Sequence, residues 1–319
     1  MFRSFYSQIR DFISPGEISI IHQFHRPPYG GGNQFLLALM NEWIANGITV
    51  SRGHVGTNTR ALLMNSYNFD FSRVRKLKRK GLRIVHRVDG PISVYRGSSD
   101  SAVDRSIAAI NAEVADATIF QSRFSMQKHL EMDLQFREPI VIYNACNKKY
   151  FHPASETRSR ERPWRIVGTA WSDNVKKGLG IYQWLDENLD HSRFSVTFVG
   201  RTKGEFRNIR VVEAMPSLEL GEFLRTQDVY LAPSEDDPCS NALVEALACG
   251  LPAIFRDSGG HPELVGKAGL PFNKAEDILG LLENLTANYE GFRQQIQAPD
   301  MEKVAQQYLK CLLPEIVSN

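Results

Sequence analysis

The chain has 319 residues, 42% of them hydrophobic, enough for two cores, since single domains usually run to about 100–200 residues. No stretch approaches the roughly 20 apolar residues of a membrane span, and no apolar signal core opens the chain. Cys146, Cys239, Cys249 and Cys311 lie too far apart for a C-x-x-C pair or a metal-ligand cluster, so reduced thiols in a cytoplasmic protein are expected. The net charge of +2 conceals an asymmetry: residues 1–150 carry 20 Lys and Arg against 12 Asp and Glu, the remainder 18 against 24. An N-terminal half with that excess either meets something anionic, such as a lipid headgroup or acidic glycan, or is simply solvated.

In chain order, Phe2, Phe5, Tyr6, Ile9, Phe12 and Ile13 recur at helical spacing before Pro15-Gly16. A helix packed on the N-domain accounts for them better than an interfacial one, since only Arg3 and Arg10 accompany the apolar face. Short apolar runs, each followed by a helical pattern, then read as parallel strands with covering helices. They are 18–23, 48–52, 83–88, 117–121 and 139–143, and after a polar, Arg- and Glu-rich linker near 152–163 the series restarts with 165–169, 195–199, 209–212, 229–232 and 253–256. The expected domains are 1–153 and 164–298. A last helix, 299–319, is placed to cross back onto the first domain. This is an α/β chain with two Rossmann-like doubly wound halves, expected to face each other across a cleft at the carboxyl ends of their strands.

Chemistry concentrates in APSEDDPCSNALVEALACGLPAIFRDSGGHPELVGKAGLPF, residues 232–272. The pattern predicts a strand, an acidic loop, a helix over 240–249, a glycine stop, a buried strand and a Gly-Gly turn. A carboxylate at Asp237 can accept hydrogen bonds from sugar hydroxyls, and Glu245, two turns further along, from the two hydroxyls of a ribose. The amides of Cys239, Ser240, Asn241 and Ala242, at the positive end of the helix dipole, suit a diphosphate. Glu235-Asp236-Asp237 is not read as a metal site.

This stretch resembles the acidic-x7-Glu signature of the family 4 retaining glycosyltransferases, which have the GT-B fold. EALACGLPA, Ser258-Gly259-Gly260 and Pro262-Glu263 match closely, whereas Asp237-Pro238-Cys239-Ser240 stands where the family usually has Glu-Gly-Phe-Gly. Similar segments cover most of the chain: TIFQSRFS (118–125), VIYNACNKKYFHP (141–153) and FVGR (198–201). Lys177-Gly178 is similar to the family's Lys-Gly, whose lysine neutralises the leaving diphosphate. The family's partner arginine is missing from GTAWSDNVKKG, which leaves Lys176 or Arg201 to substitute. Tyr29-Gly30-Gly31-Gly32-Asn33 resembles the family's first glycine loop, with Gly31 and Gly32 close to the ligand.

In RIVHRVDGP, His86 matches the family histidine that contacts the donor sugar, while Asp89 either binds acceptor hydroxyls or caps the Gly90-Pro91 turn. The basic run Arg73 to Arg83 is a solvated helix face or an anchor for anionic lipid, and without interleaved aromatics it does not read as a nucleic-acid site.

The resemblance implies metal-independent transfer, with retention, from a nucleotide diphosphate sugar of UDP or GDP type to a hydroxyl on a glycan or lipid-linked acceptor. No other cofactor is implied. The expected setting is the cytoplasm, with peripheral membrane contact through the basic N-domain, in polysaccharide, glycolipid or glycoconjugate assembly. A catalytically silent nucleotide-sugar binder is the competing reading.

Overall fold

The structure is a computed structural model that describes residues 16–25, 30–154, 163–172 and 174–317. The amphipathic segment 2–13, Tyr29 and most of the expected linker lie outside these residues. The chain forms two compact units: one of residues up to 25, 36–143 and from 301 onward, the other of 26–35 and 144–300.

The first unit is a parallel sheet of β1 (Ile18–Ile21), β2 (Val50–Arg52), β3 (Ala61–Asn65), β4 (Arg83–Val88), β5 (Ala117–Phe120) and β6 (Pro139–Val141), in the order β2-β1-β3-β4-β5-β6. Its helices are α1 (Gly31–Ala45), whose first residues group with the other unit, α2 (Phe71–Arg79), α3 (Ile92–Arg96), α4 (Ala102–Val114) and α5 (Arg123–Leu130). Strand β3 is absent from the sequence reading. Its Ala-Leu-Leu-Met run has no β-branched residue and favours a helix on propensity alone, yet all five of its residues are buried between β1 and β4.

The second unit holds β7 (Trp164–Ala170), β8 (Phe194–Gly200), β9 (Arg210–Val212), β10 (Val229–Ala232), β11 (Ala253–Arg256) and β12 (Gly269–Phe272), parallel in the order β12-β11-β10-β7-β8-β9. Around them lie α6 (Leu179–Asn188), α7 (Ser217–Leu224), α8 (Asn241–Ala248), α9 (His261–Val265), α10 (Asp277–Ala287) and α11 (Tyr289–Gln294). Strand β12 also escapes the sequence reading, because Gly-Leu-Pro-Phe looks like a turn. Proline is tolerated there because β12 is an edge strand, and glycine is required because a Cβ at Gly269 would lie 2.0 Å from the Ala253 carbonyl oxygen. Tyr182, Leu185, Phe194, Val196, Ile254, Leu282 and Leu285 fill this unit's core.

Helices α12 (Met301–Leu312) and α13 (Pro314–Val317) belong to the first unit. α12 buries Met301, Val304, Ala305, Tyr308 and Leu312 on one stripe. Trp43 Nε1 donates to the Ala305 carbonyl at 3.1 Å, and Arg83 Nε to that of Cys311 at 2.6 Å. Trp43→Ala removes a fully buried ring along with that hydrogen bond. We expect it to cost about 3–5 kcal/mol in a denaturant titration of the full chain, and a loss below 1 kcal/mol would show that α12 does not depend on this contact.

Candidate functional site

In the second sheet the strand order reverses between β7 and β10, so the loops leaving their carboxyl ends diverge and open a crevice. After β7 comes a 3-10 turn, Val175–Lys177, and after β10 the acidic loop 233–240. Glycines let the loop press against a turn on each side. A Cβ at Gly178 (φ +83°) would lie 2.6 Å from Pro233 Cβ, and one at Gly259 (φ +65°) 2.3 Å from the Asp237 carbonyl oxygen. The Glu235 amide donates to the Lys176 carbonyl at 2.8 Å, the Asp236 amide to Ser258 Oγ at 3.0 Å, and the Gly260 amide to the Asp237 carbonyl at 2.9 Å. Asp236 takes up a left-handed backbone, φ +53°.

Each acid of this loop meets a cation. Glu235 pairs with Arg256 at 2.7 Å, Asp236 with Lys176 at 2.6 Å and Asp237 with Lys177 at 2.8 Å. Burial alone would raise the Asp237 carboxyl, but Lys177, His261 and the Cys239 amide outweigh it and hold it below the ordinary carboxylate range. His261 is fully buried, with Nδ1 on the Arg256 carbonyl and Nε2 on Ser234 Oγ, both at 3.2 Å; burial keeps its pKa low. Both Asp237 oxygens are therefore engaged, Oδ2 by Lys177 and Oδ1 by the Cys239 amide at 3.3 Å.

Helix α8 starts at the end of this loop, where Ser240 Oγ caps the Leu243 amide at 3.4 Å. The amides of Ser240, Asn241 and Ala242 find no acceptor among the described residues, as the first turn of a helix dictates. The Cys239 amide, grouped with them from sequence, is turned to Asp237 instead.

Glu245 is half-buried and its carboxylate makes no hydrogen bond or ion pair among the described residues. The surrounding protein desolvates it and pushes its pKa from 4.5 up to about 8. Its charge and that of Lys177 both act on the hydroxyl of the buried Tyr230, in β10.

Lys177 also lines a pocket at the ends of β7 and β8 with Arg201, Lys203, Ser172, Asn174 and Thr202. The pocket forms because the Arg201 amide bonds to the Ala170 carbonyl at 3.0 Å, an approach open only to glycine at position 200, where a Cβ would sit 1.9 Å from that oxygen. Of the two candidate substitutes for the missing arginine, Arg201 lines this pocket and Lys176 does not. Lys203 is a third cation that sequence reasoning missed, although Gly-Arg-Thr-Lys-Gly after a strand offered the signal.

Other expected site residues lie elsewhere. A Cβ on Gly31 would come within 2.7 Å of Asn241 Nδ2, and Asn241 Oδ1 accepts from Asn144 at 3.2 Å, whereas the Cα of Gly32 faces open space. In the first unit, His86 is fully buried. Its Nε2 bonds to the Ser66 carbonyl at 2.7 Å and its Nδ1 meets Asn111 Nδ2 at 3.2 Å, so both ring nitrogens are used within the protein and burial brings its pKa down to about 4. That geometry ties β4 to α4 and leaves no ring nitrogen for a sugar.

Residues 167–288 match the model of the family described as "Glycosyl transferases group 1". A curated relative, the sulfoquinovosyl transferase SQD2 of Arabidopsis thaliana, is 26% identical over 131 residues, 36% of this chain and 25% of the relative's own length. Among solved structures, sucrose-phosphate synthase of Thermosynechococcus elongatus superposes with a TM-score of 0.74 at 15% identity, covering 95% of this chain and 99% of that one. The catalytic domain of starch synthase IV of Arabidopsis thaliana, bound to ADP and acarbose, gives 0.71 at 11% identity, covering 95% and 100%. HepE of Anabaena in complex with UDP-glucose gives 0.67 at 13% identity, covering 95% and 99%.

The fold is GT-B. Within it, the matched segment 167–288 contains Lys177, Arg201, Lys203, the acidic loop and Glu245.

The raised Glu245 carboxyl has a definite sign in stability. The folded state binds its proton more tightly than the unfolded chain, so the contribution is fully present below about pH 4.5 and is lost as pH rises through about 8. Glu245→Gln removes that loss. The ligand-free variant should melt several degrees above wild type at pH 8.5 and close to it at pH 4.5; equal melting curves at pH 8.5 would contradict the desolvated carboxyl.

Proposed function

We propose that this chain is a family 4 type retaining glycosyltransferase that moves a sugar from a nucleotide diphosphate donor to a hydroxyl acceptor without a metal ion. The observation that supports the reading is what the loops on the two sides of the second unit's switch point carry: after β7 and β8 a pocket lined by Lys177, Arg201 and Lys203, and after β10 the open first turn of α8 and Glu245, whose carboxylate takes no partner among the described residues. Cations and helix-end amides suit a diphosphate, and a carboxylate without a protein partner suits the two hydroxyls of a ribose. Two of the GT-B neighbours were solved with UDP-glucose and with ADP, which supports a nucleotide in this role.

The chemistry is an exchange of oxygens at the anomeric carbon. The bond from C1 to the phosphate oxygen breaks, the acceptor hydroxyl oxygen bonds to C1 on the same face, and the hydroxyl proton passes to the departing phosphate. The protein's part is positioning and charge stabilisation, because negative charge grows on the diphosphate beside Lys177 and Arg201. Asp237 keeps Lys177 aimed, and Gly31 lets the glycine turn come close to the first turn of α8. The acceptor is a glycan or a lipid-linked sugar, the reaction is part of polysaccharide, glycolipid or glycoconjugate assembly, and the exposed Lys76, Arg79 and Lys80 support contact with an anionic surface.

The engagement of both Asp237 oxygens also supports a silent nucleotide-sugar binder, and turnover separates the two readings. UDP, GDP and ADP are tested by thermal shift, where a ligand at 100 times its Kd adds about 2.7 kcal/mol. At least one should shift the wild type, and Lys177→Ala or Arg201→Ala should lose most of that shift. With the matching nucleotide sugar, release of nucleoside diphosphate should persist in EDTA, and NMR of the product should show the donor's anomeric configuration. Tight binding without turnover on any acceptor, or inversion, would overturn the proposal.

A further inference from the structure

The two strands that flank the second unit's switch point, β7 and β10, are neighbours in the sheet, and a side-chain hydrogen bond joins them there: Thr169 Oγ1 and the Tyr230 hydroxyl lie 3.1 Å apart. Successive side chains of a strand point to opposite faces. Ala170 lines the pocket of Arg201 and Lys203 together with Tyr182, and a Cβ on Gly168 would lie 1.7 Å from the Tyr182 hydroxyl. Thr169, between them in sequence, therefore leaves β7 from the other face. There it meets the Tyr230 hydroxyl, on which the charges of Glu245 and Lys177 both act.

This bond runs in one direction. Tyr230 is 2% exposed, and burial pushes its pKa up to about 12, so the phenol keeps its hydrogen at neutral pH. Thr169 is its only hydrogen-bond partner among the described residues. A buried donor without an acceptor is costly and rare, so the phenol hydrogen lies on the Thr169 oxygen. That oxygen carries a hydrogen of its own, which no described residue accepts. Thr169 is half-buried at the carboxyl end of β7, where the crevice opens, and Lys177 stands on the turn that follows the strand. The strand and its turn thus bring a neutral donor and a cation to one place, a combination that suits an oxyanion.

We propose that Thr169 is a further substrate contact of the transferase, its hydroxyl donating to an oxygen of the donor's diphosphate, and that Tyr230 is the positioning residue that turns it there. Because the phenol occupies the oxygen and the protein offers no acceptor for the hydrogen, this hydrogen bond forms when a ligand oxygen arrives. It strengthens as the departing diphosphate gains negative charge, in the same sense as Lys177. The inference deepens the transferase reading and rests on it for the identity of the anion; the prepared donor follows from β7 and β10 alone.

The test measures, on the full chain, the Tm without ligand and the affinities for inorganic pyrophosphate and for the nucleoside diphosphate that shifts the wild type. Thr169→Val removes the donor and strands the phenol hydrogen, so it should lower Tm and weaken both ligands about tenfold or more. Combining it with Tyr230→Phe removes both polar atoms. In that double variant Tm should return towards wild type while both affinities stay as low as in Thr169→Val. Tyr230→Phe alone leaves the hydroxyl free to turn and should weaken both ligands by less than Thr169→Val. Thr169→Ser, which keeps the hydroxyl, should retain most of the affinity. Wild-type affinities in the double variant would overturn the contact and leave the transferase reading standing. Pyrophosphate binding that follows Thr169 in a protein that no nucleotide binds would sustain the contact and sink the transferase reading instead, and a wild type that binds neither ligand would overturn both.

Discussion

The site in the second unit depends on how closely its acidic loop can approach the turns on either side. Backbone contacts and two left-handed glycines hold the loop from β10 between the Lys176-Lys177 turn and the Ser258-Gly259-Gly260 turn. A side chain at either glycine would force these segments apart, and the alignment of Lys177 with Asp237 would go with it. Close contact also sets the electrostatics. Three consecutive carboxylates in one loop would repel each other, and the loop is tenable because a cation from a neighbouring segment reaches each of them. The same pairing places two lysines at the mouth of α8 in a defined geometry.

Much of this was legible in the sequence because it rests on spacing. Lys177-Gly178 after a strand, the eight-residue step from Asp237 to Glu245 and the run of small residues at 258–260 each have a local physical meaning, and the resemblance joins them. What was not legible depends on tertiary facing. Both faces of a parallel sheet are covered, so its strands show no alternation to tell one face from the other. His86 and Arg87 are neighbours in β4, yet His86 turns to α4 while Arg87 reaches Asn65 and Asp89. The amide of Cys239 was misjudged for a related reason, since only the loop's path shows that Asp237 captures it. Strands β3 and β12 were hidden by composition, one helix-like and one turn-like.

The basic run of residues 73–83 shows how a charge excess is distributed once folded. Val74 and Leu77 face inward from α2, Arg75 pairs with Glu113, and Lys78 meets Asp116 at 2.6 Å. Arg73 reaches the Gly53 carbonyl. Part of the run is thus spent on neighbouring segments of the same unit, and exposed pairs such as Arg75–Glu113 contribute little to stability. Lys76, Arg79 and Lys80 keep the exposed face positive.

If Glu245 receives a ribose as proposed, its desolvated carboxyl makes nucleotide and hydrogen ions compete there. With a pKa near 8 the group is mostly neutral at pH 7, whereas a carboxylate that receives two ribose hydroxyls works best as the anion. Under the proposed contact, occupancy expels a hydrogen ion into the medium. The heat of association then carries the ionisation enthalpy of whatever buffer takes up that ion, and affinity strengthens towards alkaline pH until the free carboxyl has ionised by itself.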